Sequence, residues 1–119
     1  MIIADSSVWI DHFKIADLTL IKALAADDVL MHPYVIGELA LGTLKNRQGA
    51  LANFASYDAP PIATPEDVLL LIEQAGLSNR GVGYVDVHLL ASCLLHGNCR
   101  LLTHDRRLHS AAEQLGIAA

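Results

Sequence analysis

Four acidic residues stand where an acid is least expected. Asp5 and Asp105 each follow a short apolar run, Ile2-Ile3-Ala4 and Leu101-Leu102-Thr103. If those runs are neighbouring parallel strands, both carboxylates border the crevice at the strands' carboxyl ends. Each taken alone reads more readily as the cap of the helix it precedes. Asp86 opens an apolar segment, with Leu89, Leu90 and Cys93 on the same helical stripe. Glu38 repeats the pattern between Val35 and Leu41. The ordinary alternatives are a helix-dipole partner at Asp86 and an internal ion pair at Glu38. An unpaired carboxylate on an apolar stripe is costly, so it takes up a proton or a cation. Together these acids, with no His-rich companion set, form an oxygen-only donor group. Such a group suits Mg²⁺ or Mn²⁺ rather than Zn²⁺. Mg²⁺ bridges carboxylates to phosphate oxygens, which makes a phosphodiester the natural substrate. The other acids, such as Asp17, Asp28, Asp67 and Glu113, read as caps and solvated helix faces.

The elements that must hold these acids follow from pattern. Ile2-Ile3-Ala4 is a buried strand stopped by Asp5-Ser6-Ser7, with Ser6 or Ser7 able to cap a helix through Phe13. Helices are expected over 17–26 and 49–57, with a short strand at Val29-Leu30-Met31 between them. Pro33 suits the first turn of a helix carrying Glu38. Thr64-Pro65-Glu66-Asp67 combines a cap, a first-turn proline and first-turn acids, and starts a helix running to about Gly76. A Gly-rich loop at 78–83 precedes an apolar helix from Tyr84 to Leu95. A strand at 100–103 and a helix over 105–115, ended by Gly116, complete the chain. Strands alternating with helices imply an α/β domain with a parallel sheet.

Composition narrows the class. A length of 119 residues fits one domain, 1–119, able to bury a core without disulfides. Hydrophobic residues reach 53% and charged residues only 18%, so apolar surface is hidden in a core or a subunit interface. A net charge of −5 argues against a plain phosphate-grabbing module. It does not exclude a nuclease, whose metal site is acidic until cations fill it. Cys93 and Cys99 lack CxxC spacing, which fits a reducing, cytoplasmic setting. No signal peptide and no membrane-spanning run is expected.

At this point the motifs resemble a known family. The stretch Asp5-Ser6-Ser7-Val8-Trp9-Ile10-Asp11 resembles the opening of PIN domains, specifically the VapC toxins of bacterial toxin–antitoxin pairs. Gly37-Glu38-Leu39 resembles their second motif, and 83–91, around Asp86, the third. Leu101-Leu102-Thr103-His104-Asp105 resembles the fourth, a strand ending in Thr-x-Asp. The resemblance spans nearly the whole chain in the right order. It implies a three-layer α/β/α fold around a mostly parallel sheet. It implies Mg²⁺- or Mn²⁺-dependent endoribonuclease activity, often on tRNA or a ribosomal RNA loop. It also implies a homodimer held inactive by a cognate antitoxin, with DNA contacted only through that antitoxin. By the same resemblance Asp5, Glu38, Asp86 and Asp105 are the metal-site acids, with Ser6 and Thr103 as supporting hydroxyls.

RNA must also be held near an acidic site. Lys45 and Arg47 follow the Glu38 helix, Arg80 lies in the loop before Asp86, and Arg106 and Arg107 follow Asp105. These are the candidate phosphate contacts. The histidines lack zinc-ligand spacing, Ser7 lacks a GxSxG context, and Gly81-Val82-Gly83 is too short for a phosphate loop. Trp9, with Ile10 and Phe13, reads as core or dimer contact rather than a base-stacking platform. Two alternatives stay open. One is another Mg²⁺-dependent phosphotransfer enzyme, a phosphatase or a receiver domain. Against the first, Ser stands where the second Asp of a DxD belongs; against the second, no Lys follows Lys45. The other is a PIN-like interaction module without catalysis.

Overall fold

The computed structural model describes residues 1–119. Three short strands form one parallel sheet: β1 (Ile2–Ala4), β2 (Val29–Leu30) and β3 (Arg100–Leu102). Their order is β2-β1-β3, so the first strand is central. Ile3 pairs with Leu30 on one side and Leu101 on the other, and Ala4 pairs with Leu102. Beyond β3, the tail adds one more parallel bridge, Leu101 to Ala118.

Seven helices flank this sheet: α1 (Ser6–Lys14), α2 (Leu18–Ala25), α3 (Pro33–Leu41), α4 (Arg47–Ala55), α5 (Pro65–Ala75), α6 (Tyr84–His96) and α7 (Arg106–Gln114). The sandwich is the expected three-layer α/β/α arrangement, with a wholly parallel sheet. Because both faces are covered, strand residues Ile3, Leu30 and Leu101 are all buried, without polar alternation. Trp9 belongs to the core, edge-on to Phe54, while Ile10 and Phe13 on the same helix stay about half exposed. No helix is long and apolar enough to cross a membrane.

Local chemistry explains most boundaries. Thr64 and Asp67 make the reciprocal capping box that starts α5, and Gly76 ends it in the left-handed conformation. Pro33 is at the start of α3, and His32 caps it by accepting from the Tyr34 N–H at 3.0 Å. One boundary departs from expectation: α1 is capped by Asp5, not by Ser6 or Ser7, whose backbones are already helical. The Asp5 carboxylate reaches the Val8 N–H at 3.2 Å, and a longer acid side chain can do this while still facing the sheet edge. The helix expected over 49–57 begins earlier, at Arg47, after Asn46 turns the chain through a left-handed residue (φ 48°).

Candidate functional site

Strand order decides where a site can form. The chain leaves β1 toward β2 on one side and arrives at β3 on the other, so the β1/β3 boundary is a switch point. Loops leaving the carboxyl ends there diverge and open a crevice. Asp5 follows β1 directly, and Thr103 and Asp105 follow β3. The two strand-end acids are therefore neighbours, as expected, and each also caps a helix. Capping and site-building are compatible because a carboxylate has two oxygens.

Asp5 is the most constrained of the set. It is only 5% exposed, which without partners would be costly. One oxygen accepts from Ser7 Oγ at 2.6 Å and the Val8 N–H; the other accepts from Thr103 Oγ1 at 2.5 Å. Three donors offset the desolvation and fix the carboxylate's orientation. Thr103 Oγ1 also accepts from the Asp105 N–H at 3.0 Å, so a single hydroxyl ties both strand ends together. Asp105 uses Oδ1 for the Arg107 and Leu108 N–H groups at 2.9 and 3.0 Å; no protein hydrogen bond engages Oδ2.

Asp86 comes from the first turn of α6, where its Oδ2 accepts from the Gly83 N–H at 3.0 Å. Burial pushes its carboxyl above the ordinary carboxylate range; the Gly83 bond opposes this, and the charges of Asp5 and Asp105 add to it. Glu38, on α3, is likewise raised, by burial first and then by Asp86, with a hydrogen bond from Ser6 opposing and Asp5 adding. The charges of Asp5 and Asp105 thus act on Asp86, and those of Asp86 and Asp5 on Glu38. The buried-stripe reading of Glu38 needs correction, however: Leu41 is 90% exposed, and only Val35 and Leu39 of that helix are buried. Glu38 lies on the surface of the crevice, not on an apolar face.

None of these acids is neutralised by a Lys or Arg. The ion pairs of the molecule involve only the N-terminal amine and histidines. No three His, Cys, Asp or Glu side chains converge as a closed ligand cluster. The donor chemistry, carboxylate oxygens with uncompensated charge and two raised carboxyl pKa values, is of the kind a hard cation takes.

Several supporting residues were not legible beforehand. Ser7, rather than Ser6, donates to Asp5, and its Oγ also accepts from the His104 N–H. His104 itself lies between Asp11 and Asp17, at 2.6 and 2.9 Å, and these hydrogen bonds raise its pKa. The Ser-Ser doublet offered no way to choose between hydroxyls, and the histidine's partners lie 93 and 87 positions away. His88 is buried in the core, edge-on to Tyr34 and Tyr84. Of the candidate basic residues, Arg80, Arg106 and Arg107 line one cleft. Arg47 instead donates to the Ala40 and Gly42 carbonyls, and Lys45 lies beside Ile10, Phe13 and Leu44.

The PIN domain family model matches residues 2–114. This chain belongs to the PIN-domain family, in its VapC-type branch. It is 43% identical over 118 residues to Ribonuclease VapC32 of two Mycobacterium tuberculosis strains, CDC 1551 and H37Rv. The match covers 99% of this chain and 95% of each relative. This PIN domain also shares its fold with the crystal structure of PAE2754 from Pyrobaculum aerophilum. There the TM-score is 0.61 at 17% identity, over 95% of this chain and 86% of that one.

Proposed function

We propose that this PIN domain is a metal-dependent endoribonuclease and the toxin of a toxin–antitoxin pair. One observation carries the reading. Asp5, Glu38, Asp86 and Asp105 share the carboxyl edge of a parallel sheet with no Lys or Arg to neutralise them. Two of them resist ionisation there. The relatives' ribonuclease name supplies the substrate class.

In this reading the acids hold Mg²⁺ or Mn²⁺. When bound, such an ion supplies activation of water toward the phosphorus and compensation of charge on the leaving oxygen. The protein's part is placement. Ser7 and Thr103 hold both Asp5 oxygens. Backbone N–H groups fix Asp86 and one oxygen of Asp105, leaving the other oxygen of Asp105 without a protein partner. The absence of a closed cluster of three ligands favours the rival reading, a catalytically silent interaction module. Mg²⁺, however, keeps several waters and needs only one or two direct carboxylates, so an open arrangement suits it.

The partner and the second copy belong to the same proposal. Ile15, Leu18 and Leu41 are 82, 73 and 90% exposed. A cleft of about 700 Å³ between α1 and α4 is lined by Ile10, Phe13, Thr43, Leu44 and Ala50, with lysines at its rim. Apolar groups left in water in this way suit a protein partner. They are offered to an antitoxin and to a homodimer in the cytoplasm, and tRNA or a ribosomal RNA loop is the substrate class.

The test is cleavage of total RNA by the purified chain, with Mg²⁺ or Mn²⁺ and with EDTA, beside Asp5→Asn. Asn keeps a cap acceptor at this position and loses the charge. Metal-dependent cleavage at discrete sites is expected, reduced at least ~100-fold in the variant. A folded Asp5→Asn protein that cuts as well as the parent sinks the assignment.

A further inference from the structure

We propose that the cleft between Arg80, Arg106, Arg107 and Ser110 is a subsite for a backbone phosphate of single-stranded RNA. The inference rests on the ribonuclease reading and extends it to a place where the strand is gripped away from the cut. The cleft measures about 580 Å³ and has no hydrophobic lining residue. Three guanidinium groups face it, and none has a carboxylate within ion-pair distance. In a chain of net charge −5, acids are not scarce. Gathering three like charges without an acid raises the energy of the free protein unless an anion is to be received.

Arg80 is held by a hydrogen bond, and Arg107 is packed against the loop. Arg80 Nη1 donates to Gln114 Oε1, and Gln114 Nε2 is anchored on the Ala75 carbonyl at 2.8 Å. Arg107 lies directly over Gly81, a residue with φ +73°. A Cβ there would fall 2.5 Å from Arg107 Nη1 and 2.6 Å from its Cδ. Glycine therefore serves twice, allowing the left-handed turn and the arginine's path across it. The α7 helix terminus is not itself the receptor, because Asp105 already occupies the Arg107 and Leu108 N–H groups. Guanidinium groups suit the task because they bind phosphate oxygens in a planar, paired geometry. Arg106 and Arg107 immediately follow Asp105, so a strand lying over the carboxylates continues into this cleft.

The test uses the full chain and a fluorescein-labelled single-stranded RNA of mixed sequence. Binding is followed by anisotropy in EDTA across a salt series, and cleavage kinetics are measured in Mg²⁺. The Arg80→Gln/Arg107→Gln variant is expected to bind about 10-fold more weakly, with a log–log salt slope smaller by about 1.4, at ~0.7 per lost contact. Its KM is expected to rise by a similar factor while kcat stays within about 2-fold. Arg100→Gln, at the opposite end of the sheet, is expected to change neither slope nor KM. Arg107→Gln alone, which removes no hydrogen bond of the fold, gives half the slope change should the double variant be unstable. An unchanged salt slope and KM, or an equal loss from Arg100→Gln, overturns the subsite. If the parent cleaves RNA while the variant's KM is unaltered, the subsite falls and the ribonuclease reading stands. If the parent neither binds nor cleaves RNA, both fall.

Discussion

The two ends of the sheet treat charge in opposite ways. At the amino end of the strands, the Met1 amine meets Asp28 at 3.3 Å and the Asn98 carbonyl at 3.1 Å. The Arg100 guanidinium there is spent on the Ala118 carbonyl at 3.2 Å. Just behind them, Cys93 and Cys99 are buried as free thiols, with Sγ atoms 3.7 Å apart. That end is internally balanced, although it has a cleft of about 370 Å³. At the carboxyl end, four acids and three arginines are left without ion pairs to one another. A fold that can neutralise one end so simply has left the other strained by its own charge. Concavity is thus common to both ends, whereas uncompensated charge distinguishes the carboxyl end, where the proposed site lies.

That contrast can be broken most forcefully through His32, which lies behind the carboxyl end, where the chain enters α3. Burial, and then the neighbouring His88, hold its pKa down to about 4 against an ordinary 6.5. The unfolded chain takes up a proton at the ordinary value and the native one does not. The stability this neutral imidazole contributes is thus present above pH 6.5 and lost as pH falls toward 4. The loss amounts to roughly 3 kcal/mol, at ~1.4 kcal/mol per pH unit. His32→Asn retains a capping acceptor without the titration. Denaturant melts from neutral pH to 4 are expected to show the gap between parent and variant changing by that amount. Parallel pH profiles would reject it.

The next effect concerns Asp86. Its carboxyl pKa is raised, so the native state binds a proton more readily than the unfolded chain does. The associated stability is fully present below the ordinary carboxylate pKa and is lost as pH rises through the raised one. At neutral pH, Asp86→Asn is expected to stabilise the metal-free protein by on the order of 1 kcal/mol, or ~4 °C in Tm. Adding Mg²⁺ should raise the Tm of the parent and do so less in the variant. A variant that melts below the parent without metal would show that its carboxylate supports the fold. The smallest effect belongs to the balanced end. Asp28→Asn removes an exposed ion pair and is expected to cost less than ~1 kcal/mol. RNA cleavage should be unchanged, and a marked loss of cleavage would end the separation of the two faces.

Much of this architecture was readable from local pattern. The short apolar runs ending at Asp5 and Asp105, the Thr64–Asp67 box and the glycines after α5, α6 and α7 state their roles within a few residues. That both strand-end acids share one crevice needed strand order, which no local pattern carries. Glu38 was found through a stripe that the structure does not keep, since Leu41 points to solvent. The difference between Arg107, laid over Gly81, and Arg47, turned back onto α3, depends on tertiary packing. The role of His104 was hidden for the same reason, its partners being chosen in space, while that of Ser7 was masked by its twin Ser6.

The hydrogen bond between Thr103 and Asp5 spans 98 positions, joining the first strand to the last. During synthesis at ~5–20 residues per second, roughly 5–20 s separate the two residues. Throughout that interval the growing polypeptide carries Asp5, and then Glu38 and Asp86, with no second strand end to complete the crevice. The apolar surfaces of α1 and α2 are made well before β3. A chaperone or binding protein can thus meet these surfaces before β3 closes the crevice beside Asp5.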